Sequence, residues 1–215
     1  MKIAAFGDIH NSIEALDHVP LHQFDLVIIT GDLTNFGGRS DAQKILDAVK
    51  EKTGNILAVP GNLDHPPVLD LLEELEVSIH GKGKVINDVG FFGCGGSNVT
   101  PFNTPIEFSE DTLLELLKNA YEHVKDAKRH ILVSHTPPKE SGLDRISSGA
   151  YVGSQVVKDF IEEIQPALCL TGHIHEAKGE TTIGATKVIN PGMLKDGGWI
   201  EIEITDDLDV KAILH

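Results

Sequence analysis

The residues of this chain that could do chemistry stand at the ends of apolar runs. KIAAF leads into Gly7, Asp8, Ile9 and His10, and LVIIT into Gly31 and Asp32. NILAV leads into Pro60, Gly61, Asn62, Leu63, Asp64 and His65, HILV into Ser134 and His135, and ALCL into Thr171, Gly172, His173, Ile174 and His175. Carboxylate, imidazole and amide oxygen are ligands for borderline divalent ions such as Mn, Fe, Zn, Co or Ni. No cysteine stands at any of these positions, which argues against a structural thiolate zinc site. In Asp8-Ile9-His10 and His173-Ile174-His175 the ligand types are two residues apart. On extended backbone that spacing puts both side chains on one side and turns the isoleucine into the core. A lone Gly-Asp after a strand is usually a turn, and a lone Asp-x-His is weak. The recurrence, in order and always at a strand end, points to a dinuclear metal centre.

These positions need a frame. Strands are expected over 2–6, 25–30, 55–59, 90–94, 130–134 and 167–171, with further β-rich runs over 179–183, 186–190, 199–204 and 209–214. Unbroken apolar runs such as LVII and ILAV read as strands buried on both faces, whereas WIEIEI alternates and reads as one wet face. Helical stripes lie between them. Ser40 with Gln43 forms a capping-box pattern ahead of Ile45, Leu46 and Val49. Ser109 is placed to cap a helix carrying Leu113, Leu117, Ala120, Tyr121 and Val124, and Pro166 stops the stripe Val156, Val157, Phe160, Ile161 and Ile164. The alternation of strand and helix predicts an α/β fold with two sheets face to face and helices outside. Ligand-bearing residues at the carboxyl ends of strands then share one rim, where open α/β sheets bind ligands.

Composition narrows the function. The chain has 215 residues, a formal charge of −15 and a pI near 5.0. Such a field repels nucleic acid polymers and anionic membranes, while bound cations can still invert it locally for a small anionic substrate. Cys94 and Cys169 sit in apolar runs and read as buried, reduced thiols. No stretch approaches the roughly 20 apolar residues of a bilayer span, and the N-terminal run turns polar at Asp8, so a cytoplasmic protein is expected. Gly93 to Asn98 is glycine-rich but lacks the Lys-Ser/Thr ending of a phosphate loop, and reads as a strand end with a tight turn. The irregular segments 100–105 and 137–153 are candidates for pocket walls. His18, His22, His80, His123, His130 and His215 lack any ligand-like context and read as surface or structural.

In sequence order, GDIH, GD, GN, SH and GHIH resemble the five signature blocks of the calcineurin-like metallophosphoesterases, spanning positions 7 to 175. Asn190-Pro191-Gly192 ahead of a terminal strand pair is similar to small prokaryotic members. The resemblance implies a single domain over 1–215 and a four-layer α-β-β-α sandwich of two mixed sheets with outer helices. The metal site would lie at the C-terminal ends of the strands. It also implies two divalent metal ions, one held by Asp8, His10, Asp32 and His175, the other by Asp32, Asn62, His135 and His173, with Asp32 shared. Asp32, Asn62, Asp64 and His135 form the implied catalytic set, Asp64 supporting the loop. The implied activity is hydrolysis of a small phosphomonoester or phosphodiester. The alternative is a non-catalytic metal-binding scaffold of the same fold. One position departs from the pattern: Leu63 stands where the family usually has a substrate-facing histidine. His65 is two residues away, but Pro66 and Pro67 after it read as a helix start.

Overall fold

The computed structural model describes residues 1–215. In chain order its strands are β1 (Lys2–Phe6), β2 (Leu26–Ile29), β3 (Ile56–Ala58), β4 (Lys82–Ile86), β5 (Val89–Cys94), β6 (Ser97–Asn98) and β7 (Glu107–Phe108). They continue with β8 (Arg129–Ser134), β9 (Leu168–Leu170), β10 (Gly179–Ile183), β11 (Thr186–Asn190), β12 (Ile200–Ile204) and β13 (Val210–Leu214). The α-helices are α1 (Arg39–Lys50), α2 (Pro66–Glu74), α3 (Glu110–Glu122) and α4 (Gln155–Ile164). One mixed sheet has the order β13-β12-β1-β2-β3 and the other β10-β11-β9-β8-β5-β4.

Side-chain alternation along the central strands builds the layers. In β1, Ile3 and Ala5 enter a core between the two sheets, where they join Phe91, Ile131, Val133, Leu168 and Leu170. Ala4 and Phe6 face the other way, onto Ile45, Leu46 and Val49 of α1 and Leu71 and Leu72 of α2. In the second sheet Phe92, Cys94, Leu132 and Cys169 turn outward onto Leu113 and Leu117 of α3 and Phe160 and Ile161 of α4. The result is helix, sheet, sheet, helix, as expected. Both cysteines are buried and unbonded, and burial pushes the Cys94 thiol up to about 12. No helix is long and apolar enough to cross a membrane.

Ser109 caps α3 by accepting from the Thr112 N–H, and Gln165 ends α4 in a left-handed conformation (φ 52°) just ahead of Pro166. The start of α1 differs from the capping-box expectation. Gly38 is the N-cap and Ser40 lies inside the first turn. The reason is the preceding loop: Gly37 N–H donates to Thr34 Oγ1 and the Thr34 hydroxyl contacts Gly37 O, so the chain is fixed at Gly37, immediately before the N-cap. Strand β4 (KGKVI) carried no strand signal. It is a polar edge paired only with β5, and edges carrying lysine and glycine lack the alternation of a half-buried strand.

His80 is a buried structural group. Its Nδ1 accepts from the Gly95 N–H at 2.9 Å, and its ring stacks on Phe108 with centroids 5.6 Å apart. Burial lowers its pKa from the ordinary 6.5 to about 4. The folded value lies below the unfolded one, so the neutral ring's contribution is complete above pH 6.5 and is lost as the pH falls toward 4. The difference is worth on the order of 3 kcal/mol. His80→Asn offers an oxygen in place of Nδ1 and does not titrate. The stability advantage of wild type over this variant is therefore expected to shrink between pH 6.5 and 4, read from urea unfolding at each pH. An advantage constant over that range would exclude His80 as the titrating group.

Candidate metal centre

The C-terminal ends of β1, β2, β3, β8 and β9 meet on one edge of the sandwich. Backbone bonds lock them together: Asp8 N–H donates to Gly31 O (3.0 Å), His10 N–H to Asp32 O (3.1 Å) and Gly172 N–H to His135 O (3.1 Å). Four of the candidate ligands, Asp8 (φ 48°), His10 (48°), Asp32 (48°) and His173 (68°), sit in the left-handed region. Non-glycine residues held there cost on the order of 1 kcal/mol or more each, and such strain gathers at functional sites. This corrects the extended-backbone argument. Asp8 and His10 converge because tight turns hook each over the neighbouring strand end. Ile9 and Ile174 are nevertheless buried, at 0% and 6% exposure, and anchor each pair as expected. Close approach also dictates two glycines. A Cβ on Gly61 would lie 1.9 Å from Asp32 Oδ1, and one on Gly31 (φ 117°) would lie 2.4 Å from His135 Nδ1.

Ligand atoms of Asp8, His10, Asp32 and His175 all lie within 4.8 Å of one another, a group able to hold a metal ion. His175 Nε2 is 3.0 Å from Asp8 Oδ1 and 3.1 Å from His10 Nε2. Asp8 Oδ2 accepts from the His173 N–H at 3.1 Å, leaving Oδ1 to face the imidazoles. Asp32 is divided the same way. Its Oδ1 accepts from the Leu63 N–H at 2.8 Å, and its Oδ2 stands 3.8 Å from His10 Nε2 and 3.6 Å from His135 Nε2. One carboxylate oxygen thus faces both halves of the site.

Beyond Asp32 lie His135, Asn62 and His173. His135 Nδ1 is 2.9 Å from the Thr30 carbonyl, so Nδ1 carries the proton and Nε2 is presented to the site. Asn62 Oδ1 is 3.1 Å from that Nε2. A relay sets the amide's orientation. Glu107 Oε1 accepts from the Thr104 hydroxyl (2.7 Å), whose oxygen then accepts from Asn62 Nδ2 (3.0 Å), so Oδ1 must turn inward. The rings of His135 and His173 are 5.3 Å apart.

This donor set fits a cation. A neutral His135 would aim a bare Nε2 at two oxygen acceptors, which requires positive charge on the ring or between the groups. Without a metal a proton supplies it: burial opposes the charged ring, yet Asp32 and Asp8 lift His135 to about 9. His10 is likewise raised, with burial outweighed by Asp8 and Asp32. His173 goes the other way, to about 4, through burial and the charge of His135.

Asp64 is buried, and both its oxygens are spent on the scaffold. Oδ1 accepts from the Thr34 N–H (2.8 Å) and hydroxyl (2.7 Å), and Oδ2 from the Gly61 N–H (2.8 Å) and Leu33 N–H (3.2 Å). It ties the loop carrying Asn62 to the loop carrying Asp32. Burial and Asp32 push its carboxyl up to about 6. His65 is the exposed N-cap of α2. Both irregular segments wall a cavity of about 630 Å³ that opens onto Asn62 and His173. Glu107 braces the first segment, accepting from the Thr100 and Thr104 N–H groups and hydroxyls. Asp144 braces the second, accepting from the N–H groups of Glu140, Ser141 and Gly153. Thr104 and Asp144 fall in the segments read as candidate pocket walls, but their bracing roles, and Glu107 altogether, were not legible, because single polar residues in irregular segments carry no spacing signal.

Fold and site together define an α/β protein with a candidate metal centre at the carboxyl ends of its strands. The chain belongs to the calcineurin-like phosphoesterase family, whose model matches residues 1–177. It is 35% identical over 195 residues to the uncharacterized protein MJ1162 of Methanocaldococcus jannaschii, covering 89% of this chain and 88% of that one. A UPF0046 protein of Caenorhabditis elegans is 26% identical over 221 residues, with 94% of this chain and 72% of the relative covered. Among solved structures, TT1561 of Thermus thermophilus shares the fold with a TM-score of 0.75 at 22% identity, covering 99% and 98% of the two chains. A dimetal phosphatase from Danio rerio superposes with a TM-score of 0.64 at 11% identity, covering 100% and 98%.

Proposed function

We propose that the chain is a phosphoesterase that hydrolyses a small phosphomonoester or phosphodiester with two divalent ions. Asp8, His10, Asp32 and His175 would hold one and Asp32, Asn62, His135 and His173 the other. The observation that carries this reading is the position of Asp32 Oδ2, between His10 of one group and His135 of the other. The dimetal phosphatase of the same fold supports it. Bound divalent ions would supply Lewis-acid charge for the phosphoryl oxygens and a water of low pKa as nucleophile. The chain's own part is to fix ligand geometry in advance. Leu63 N–H turns Asp32, Thr30 O selects the His135 tautomer, the Thr104–Glu107 relay turns Asn62, and Asp64 ties the two loops together. We assign Asp64 to positioning rather than to contact with substrate, and residues 1–215 to one catalytic domain.

The test is a metal-resolved screen against phosphomonoesters, cyclic nucleotides and other phosphodiesters. Chelated protein is expected to be inactive, and Mn²⁺ is expected to restore hydrolysis better than Mg²⁺, because imidazole donors disfavour the harder ion. Full activity after exhaustive chelation would overturn the reading. Metal uptake without hydrolysis of any ester would leave a binding scaffold.

A further inference from the structure

The chain leaves six large apolar side chains exposed, and three of them, Val99 (68%), Phe102 (81%) and Tyr151 (45%), line the cavity that opens onto Asn62 and His173. Ile146 joins them in the lining. Exposed apolar side chains scattered singly need no explanation, but gathered in a concave site they mark a ligand surface. These side chains stand on braced loops. Glu107 fixes the Phe102 loop through Thr100 and Thr104, and Asp144 pins the Tyr151 loop at Gly153, while the Arg145 guanidinium lies 5.9 Å from the Tyr151 ring centroid. Several polar groups in the wall are committed to the fold, while Lys139 also lines it. Asn98 Nδ2 donates to Val152 O (3.1 Å) and its Oδ1 accepts from Thr136 Oγ1 (2.7 Å), while the Thr100 N–H and hydroxyl go to Glu107. The exposed faces of Val99, Phe102 and Tyr151, together with Ile146, therefore offer an apolar occupant its contact surface.

We infer that the organic group esterified to the phosphate is bulky and apolar, an alkyl or aryl group seated against Val99, Phe102, Ile146 and Tyr151. The inference rests on the phosphoesterase reading, since Asn62 and His173 line both the cavity and the candidate metal centre. It names the substrate class for that site: the organic group of an ester whose phosphoryl oxygens lay beside Asn62 and His173 would reach the apolar wall.

The experiment holds the leaving group constant. Phosphodiesters of p-nitrophenol carrying methyl, hexyl, benzyl or 5′-thymidyl as the retained group are compared on Mn²⁺-loaded protein. Hexyl and benzyl esters are expected to exceed the methyl ester in kcat/KM by about tenfold or more, the gain from removing such a group from water. The thymidyl ester should fall below the benzyl ester. Phe102→Ser and Tyr151→Ser should collapse the benzyl-to-methyl ratio toward one, whereas Ile213→Ser, on the remote strand β13, should leave it unchanged. Equal kcat/KM for methyl and benzyl esters, or thymidyl above benzyl, would overturn the inference. Should no diester be hydrolysed, calorimetric titration with benzylphosphonate and methylphosphonate separates the two claims. A benzyl preference of about tenfold that is lost in Phe102→Ser sustains the apolar site while the hydrolytic reading falls. Equal affinities overturn the site.

Discussion

Asp32→Asn is expected to lower turnover by several orders of magnitude and to strip bound metal. Asp32 is 2% exposed and is held by the Leu63 N–H through Oδ1, so the variant's amide oxygen can keep that bond and the fold should survive. The amide's NH₂ must then take the place of Oδ2, toward His10 and His135. A neutral donor replaces an anionic acceptor at the point where both ligand groups meet. Neither a cation in the first group nor one in the second retains its shared carboxylate. Loss of even one preorganised electrostatic contact in an active site costs about 10²–10³ in rate, and under the proposed two-ion reading both ions would be affected together. The measurement pairs metal content by mass spectrometry with turnover at saturating Mn²⁺, on protein shown to be folded by circular dichroism. A variant that holds two ions and turns over near the wild-type rate would remove Asp32 from its shared position.

The location of this site was legible in the sequence because burial and function leave different marks on one strand. Runs such as LVII are apolar throughout only if both faces are covered, so the first polar residue after each run marks a strand end at the rim. That logic gives Asp8, Asp32, Asn62, His135 and His173 without knowledge of the pairing order. It could not give the local backbone. The pair Asp8 and His10 reads as an extended i, i+2 motif, yet both residues are left-handed, because the turn is dictated by hydrogen bonds to residues 31 and 32 far along the chain. Orientation was equally hidden. That Asn62 presents its oxygen follows from Thr104 and Glu107, and that His135 presents Nε2 follows from the Thr30 carbonyl. These partners lie tens of residues from the ligands they orient, and only tertiary structure brings them together. Strand β4 was missed for a plainer reason: an edge with one neighbour can be built from lysine and glycine.

Leu63 sets the second large expectation. In the calcineurin-like pattern a histidine at this place faces the phosphoryl oxygens and the leaving group. Here the residue is half-buried, and its role in the site is made by its backbone N–H, which holds Asp32. A leucine side chain can neither donate a hydrogen bond nor carry charge. His65 is the exposed N-cap residue of α2 and does not line the cavity that reaches Asn62 and His173, so it is not expected to take over that role. A positioned general acid contributes about 10²–10⁴-fold, and without one the departing oxyanion must leave unprotonated. Esters of alkyl alcohols are therefore expected to turn over slowly, and aryl esters with acidic leaving groups far faster. The dependence of log kcat/KM on leaving-group pKa should be steep in the wild type and flatter in Leu63→His, with the largest rate gain at the most basic leaving group. The substitution leaves the backbone N–H in place, so the Asp32 contact is retained and metal content should match wild type. A leaving-group series on both proteins at saturating metal reads the two slopes directly. If wild-type rates prove independent of leaving-group pKa, with the chemical step shown to be rate-limiting, another group delivers the proton. His65→Ala would then show whether α2 moves its N-cap to the substrate during turnover.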